Sequence, residues 1–116
     1  MQIGIRRRVN AILTDRIGIV GDGGNSGFQA INLAVQFGAA RVLLVDFDMR
    51  TDFGAHWHAK RVGLGDPSEM NVSSWRRILD AEAPRFGELG VKIINCSPIS
   101  ALTGYPVMSF AEAIRC

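Results

Sequence analysis

The stretch from residue 16 to residue 48 most constrains what this chain can fold into. It runs Arg16-Ile-Gly-Ile-Val-Gly21, then Asp22-Gly-Gly-Asn-Ser-Gly27, then an amphipathic run from Phe28 to Phe37, Gly38, and finally Arg41-Val-Leu-Leu-Val-Asp46-Phe-Asp48. A short apolar strand, a glycine-rich turn, a helix of about three turns and a second buried strand read as a βαβ unit. Parallel strands need such a crossover, and the glycine-rich turn at the helix start is where units of this kind bind phosphate.

The turn has its own chemistry. Gly21, Gly23 and Gly24 permit backbone angles that a Cβ forbids, and they let main-chain N–H groups come close to a ligand. Ser26 is a good helix cap with Gln29 three residues on, so Ser26-Gly-Phe-Gln29 predicts a capping box and sets the helix start at the mouth of the turn. The helix then offers Ile31, Ala34, Val35 and Gly38 at helical spacing, with Phe28, Leu33 and Phe37 widening the apolar stripe. Gly38 is a natural residue just past a helix end. Gly21-Asp-Gly23-Gly-Asn-Ser26 fits G-x-G-x-x-G with serine for the third glycine. Asp46 ends the second strand, where a dinucleotide-binding unit keeps its acid for the ribose hydroxyls. A tight strand-to-helix turn with no ligand is the alternative.

A length of 116 residues indicates a single domain over 1–116, burying roughly two thirds of its unfolded surface. With 47% hydrophobic against 21% charged residues, the chain is not of the disordered class. A net charge of +2 gives no reason to expect nucleic acid as a partner, and the one basic run, Arg6-Arg-Arg8, reads as solvated. No segment approaches the ~18 uninterrupted apolar residues of a membrane span. The apolar run Val9 to Leu13 is too short for a signal peptide and is interrupted by Asn10, so a cytoplasmic protein without a membrane partner is expected. Cys96 and Cys116 suggest neither a disulfide framework nor a zinc site and are expected as reduced thiols.

Elsewhere, Met1 to Ile5 reads as a short edge strand, and Val9 to Leu13 as either helix or strand. Met49 to Val72 is a long polar connection holding His56, Trp57 and His58. It follows the carboxyl end of a parallel strand, which makes it the expected second wall of a ligand site. Ser73 or Ser74 is expected to cap a helix bearing Trp75, Ile78, Leu79, Ala83, Phe86 and Leu89, and Pro84 to kink or restart it. Gly90 closes that element, and Val91 to Cys96 makes a third strand. A turn around Pro98, a short helical turn at Ser100 to Thr103 and a helical piece from Ser109 to Ile114 complete the reading. The expected fold is α/β, a Rossmann-like three-layer sandwich with a small, mainly parallel sheet. Its edges need cover from residues 1–15, from the C-terminal segment or from another subunit, so a homo-oligomer is expected.

A set of short motifs extends this reading: Asn25-Ser26-Gly27, Ala30-Ile-Asn-Leu-Ala34, Gly38-Ala39, a strand ending in Asp46-x-Asp48-Met49, His56-Trp57, Trp75, Gly90-Val91, Ile94-Asn95, and Ser100-Ala-Leu102 with Pro106. In their order, over residues 16–114, the chain resembles a group of phage-encoded, Rossmann-like proteins of undefined activity. More remotely it is similar to bacterial sialyltransferases that use CMP-sialic acid and to pterin pyrophosphokinase-like proteins. The resemblance implies that Asn25, Ser26 and Gly27 lie beside a nucleotide or its phosphates, and that the loop from His56 to His58 supplies a general base or a phosphate contact.

The side chains allow several chemistries. His56 and His58 are the catalytic candidates, since a neutral imidazole accepts a proton at working pH; phosphate contact is their other use. Two histidines make a metal site only if Asp46 and Asp48 join them, and no metal is assigned. Asp46-Phe-Asp48 echoes the Asp-x-Asp of metal-dependent sugar transferases, against the reading that one aspartate caps the loop and the other is solvated. Trp57 is the better stacking candidate and Trp75 reads as core. Asn95 and Ser97 serve either a ligand or local backbone groups. No G-x-S-x-G, Gly-Lys-Ser/Thr or Cys-x-x-Cys motif occurs. The expected function is binding of a nucleotide or nucleotide-sugar, glycosyltransferase-like if catalytic. Gly21, Gly23, Gly24, Asn25, Ser26 and Gly27 would hold phosphate, and Asp46 or Asp48 a ribose or a cation; no particular cofactor is indicated. The alternatives are an NAD-binding oxidoreductase-type domain, with Asp46 on the adenosine ribose, and a non-catalytic phage accessory protein.

Overall fold

The computed structural model describes residues 3–45, 47, 49, 69–97 and 100–115, and in them helices and two small parallel sheets make a mixed α/β chain. The first sheet pairs β1 (Gly4–Arg6) with β2 (Ile19–Gly21) in the register Gly4 to Ile19, Ile5 to Val20 and Arg6 to Gly21. The expected edge strand at the N-terminus is therefore present. Val9 to Leu13 is neither helix nor strand.

After the glycine-rich turn comes α1 (Ser26–Gln36). Its cap is Asn25, not Ser26 as the sequence suggested. A cap must stand outside the helix in extended geometry, and Asn25 does so with φ −157° and ψ 159° while its Oδ1 accepts the Phe28 amide at 3.0 Å. Ser26 is already helical, and the Gln29 side chain donates to the Asp22 carbonyl at 3.0 Å instead of closing a capping box. The far end agrees with expectation: Phe37 is the C-cap, and Gly38 follows with φ +91° in the left-handed region.

The second sheet pairs β3 (Arg41–Leu44) with β4 (Lys92–Asn95), from Arg41 opposite Lys92 to Leu44 opposite Asn95. An isolated bridge adds Val107 beside Asn95. The sequence suggested one sheet through the strands now seen as β2, β3 and β4; among the described residues β2 and β3 are not paired. The reason lies in α1. Asn32 Oδ1 accepts the Gly21 amide at 3.0 Å and Gln36 Nε2 donates to the Ile19 carbonyl at 2.9 Å, so backbone groups of β2 that a third strand would take are already satisfied.

Between β3 and β4 lie α2 (Glu69–Ala81) and α3 (Ala83–Glu88). Ser73 and Ser74 are inside α2 rather than at its cap, because the helix is already formed at Glu69. Pro84 restarts the helix as expected, standing in the first turn of α3 where its missing amide leaves nothing unpaired. The helical turn expected at Ser100 to Thr103 is absent. The Ser100 amide donates to the Ser97 carbonyl, and the Thr103 and Gly104 amides are drawn out to the Asp80 carboxylate. The chain closes with α4 (Phe110–Ala113), capped by Ser109. One apolar cluster joins the parts: Ile12 from the N-terminal segment, Phe28 from α1, Leu44 and Ile93 from the β3–β4 sheet, Phe86 from α3 and Tyr105 from the C-terminal segment pack together.

Candidate functional site

In parallel strands the carboxyl ends share one edge, and the glycine-rich turn leaves β2 there. Its geometry divides the turn in two. Gly21 and Gly23 are buried, and a Cβ on them would fall 2.0 Å from the Ala11 carbonyl oxygen and 2.1 Å from the Phe28 ring. These two glycines let the turn pack against protein. The Asp22 and Gly23 amides are both given to the Val9 carbonyl, at 2.7 and 3.3 Å, and the Gly24 amide to the Asp22 carboxylate at 3.2 Å. The second half is different. The amides of Asn25, Ser26 and Gly27 have no hydrogen-bond acceptor among the described residues, and they stand at the N-terminus of α1. That is the arrangement that attracts an anion, by unpaired donors and by the helix dipole together.

Two aromatic side chains flank this half. A Cβ on Gly24 would lie 2.8 Å from Trp75 Cδ1, and one on Gly27 would lie 3.0 Å from Phe47 Cε2. Trp75, which the sequence suggested as core, is half-buried and set against the turn. Its partner Phe47 belongs to the segment leaving β3, and that segment is tied to the end of β4. The Phe47 amide donates to Ser97 Oγ at 2.8 Å, Ser97 Oγ donates to the Leu44 carbonyl at 3.3 Å, and Ser100 Oγ donates to the Phe47 carbonyl. Ser97 thus satisfies local backbone. Asn95 does so with its oxygen, which accepts the Ser97 amide at 3.0 Å, while its Nδ2 is buried with no partner among the described residues.

Asp46, Asp48, His56, Trp57 and His58 lie outside the described residues. So does Cys116; Cys96, the other cysteine, is a free thiol. Among the described residues no three His, Cys, Asp or Glu side chains come together as metal ligands, and no helix is long and apolar enough to cross a membrane. A groove of about 490 Å³ opens at the opposite end of the molecule, lined by Thr14, Ile17, Val35, Gln36, Leu89 and Val91 among others. It lies at the C-terminal end of α1 and is lined by no titratable side chain.

Asn32 is a residue the sequence reading passed over. Its signal was a polar side chain inside the apolar stripe of α1, repeated one turn later by Gln36. Both polar side chains bond the Leu13 carbonyl, at 2.8 and 2.7 Å, and so bind the N-terminal segment to the βαβ unit. Comparison with family models, curated proteins and solved structures returned no match.

Proposed function

We propose that this chain binds a nucleotide or nucleotide-sugar at the carboxyl ends of its strands, as a Rossmann-like three-layer α/β sandwich of glycosyltransferase-like type. The observation that carries the reading is the run of three amides, Asn25 to Gly27, unaccepted at the start of an eleven-residue helix and flanked by Trp75 and Phe47. A phosphoryl group takes the amides, and an aromatic wall suits the base or sugar attached to it. In this reading Asp46 or Asp48 holds ribose hydroxyls or a cation, and His56 or His58 supplies the base that activates an acceptor hydroxyl.

A thermal-shift series tests it, because a ligand that binds only the folded state raises the melting temperature. CMP, CDP, UDP, CMP-sialic acid and NAD are compared, each with and without Mn²⁺. A rise with a cytidine or uridine nucleotide and none with NAD is the expected result. A rise with NAD alone moves the chain to the oxidoreductase class, and no rise with any of them overturns nucleotide binding.

A further inference from the structure

The outer edge of β1 leaves backbone and apolar surface uncovered together. In a parallel pair, alternate residues of a strand turn both N–H and C=O to the neighbour, and the residues between turn both away. The Gly4 amide donates to the Gly18 carbonyl at 2.9 Å, so Gly4 and Arg6 face β2 while Ile3, Ile5 and Arg7 direct their backbone groups outward. Among the described residues β2 is the one strand paired with β1, and nothing meets the outward N–H and C=O of Ile5.

The side chains extend the same edge. Residues opposite each other in a ladder project to one face, so Ile5 shares the face of Val20, its partner in register. Val20 is buried, whereas Ile5 is 50% exposed and Ile3, two residues back on that face, is 65% exposed. The apolar surface that begins at Val20 therefore runs out to β1 and stops there. A further strand with apolar side chains at every second position would continue it and take up the free backbone groups.

Charge selects which strand. Arg6, Arg7 and Arg8 follow directly and are exposed; Arg6 is engaged with Asp15 at 3.4 Å, and Arg7 and Arg8 make no ion pair among the described residues. A second copy brings the same arginines. Antiparallel pairing of β1 with β1 about Ile5 would set Arg6 diagonally from its copy, about 7–8 Å away, and join two basic runs on one ribbon. An acidic segment meets the same residues with attraction.

We infer that the outer edge of β1 docks an extended acidic peptide. The peptide adds as a strand beside Gly4–Arg6, lays alternate apolar side chains against Ile3 and Ile5, and sets carboxylates against Arg7 and Arg8. In antiparallel pairing, the more stable ladder, its acidic residues come first and its apolar residues after them.

The experiment is fluorescence anisotropy of the full chain at low salt with a labelled peptide of three aspartates followed by alternating valine and threonine. This peptide binds. The same peptide with lysines for the aspartates, or with N-methyl groups on the alternate amides that would face β1, does not. Arg7→Gln weakens binding about two- to fivefold, the reach of an exposed ion pair, and the loss shrinks as salt is raised. Ile5→Pro abolishes binding with little change in melting temperature, because proline removes an outward amide and leaves the β1–β2 ladder its bonds. The N-methylated peptide tests the same amide edge on the unaltered protein. No binding of the acidic peptide up to about 1 mM overturns the inference. Equal binding of the N-methylated peptide overturns it too, since charge alone would then hold the peptide. Displacement by a short single-stranded oligonucleotide at far lower concentration assigns the arginines to nucleic acid instead. A dimer in light scattering that Ile5→Pro dissociates gives the edge to a second copy and likewise overturns it.

Discussion

Asn32 is wholly buried on α1 and meets three backbone groups from two segments: its Oδ1 accepts the Leu13 and Gly21 amides, both at 3.0 Å, and its Nδ2 donates to the Leu13 carbonyl. Leucine would fill nearly the same space and satisfy none of them. An unsatisfied buried amide costs about 1–3 kcal/mol, so Asn32→Leu should lower the unfolding free energy by about 2–4 kcal/mol in urea titration. An unchanged midpoint would show that β2 does not depend on this side chain. Two glycines give a paired test of why glycine is required. At Gly21 a Cβ collides with the Ala11 carbonyl, so Gly21→Ala should cost about 3 kcal/mol by overpacking against backbone. At Gly38 a Cβ meets nothing within 4 Å, and only the φ of +91° opposes it, so Gly38→Ala should cost about 1–2 kcal/mol. A loss at Gly21 no larger than that at Gly38 would mean that the Ala11 carbonyl shifts aside to admit the methyl group.

The elements that sequence reading found are those whose signals are local. Gly38 ends α1, Pro84 restarts the helix at α3 and Ser109 caps α4, because each acts on backbone groups within one turn of itself. The cap of α1 slipped by one residue for a reason that composition does not hold: Asn25 and Ser26 are both good caps, and only the extended backbone at 25 selects between them. Asn25→Ala should therefore cost about 1 kcal/mol and Ser26→Ala only a few tenths, in thermal or chemical denaturation. The reverse order would return the cap to Ser26. The split sheet was illegible for the opposite reason, being a long-range outcome. Apolar runs say that β2 and β3 are strands, but not that side chains eleven and seventeen residues downstream would close the second edge of β2. In the same way the glycine-rich turn ahead of α1 was readable, whereas the capture of half of its amides by Val9 and Asp22 was not.

At the scale of the molecule, the turn between α2 and α3 gathers both ends of the described chain. Glu82 Oε2 accepts the Ile12 amide at 2.9 Å, the Asp80 carboxylate accepts the Thr103 and Gly104 amides, and the Tyr105 hydroxyl donates to the Leu79 carbonyl. Tyr105 is buried against Phe86, with ring centres 6.1 Å apart. Burial, and after it the negative charges of Asp80 and Glu82, holds the Tyr105 phenol well above the ordinary tyrosine range. The consequence for stability has a definite sign. An unfolded tyrosine loses its proton near pH 10, while the folded chain keeps it, so above about pH 10 the native state binds more protons than the unfolded one and stability falls as pH rises. The contribution of the buried neutral phenol is complete below about pH 10 and disappears as pH climbs toward the folded value, at up to about 1.4 kcal/mol per pH unit. Tyr105→Phe keeps the ring packing, and it leaves the Leu79 carbonyl with the Glu82 amide at 3.2 Å, so its cost at neutral pH should be about 1 kcal/mol. Above pH 10 the variant should lose stability less steeply than the parent, and the two curves should converge. Tyr105 is the only tyrosine in the chain, so tyrosinate absorbance reports it alone. Ionisation of the folded protein near pH 10, or parallel stability curves, would show that the phenol is open to water and that the tie between α2 and the C-terminal segment is not formed.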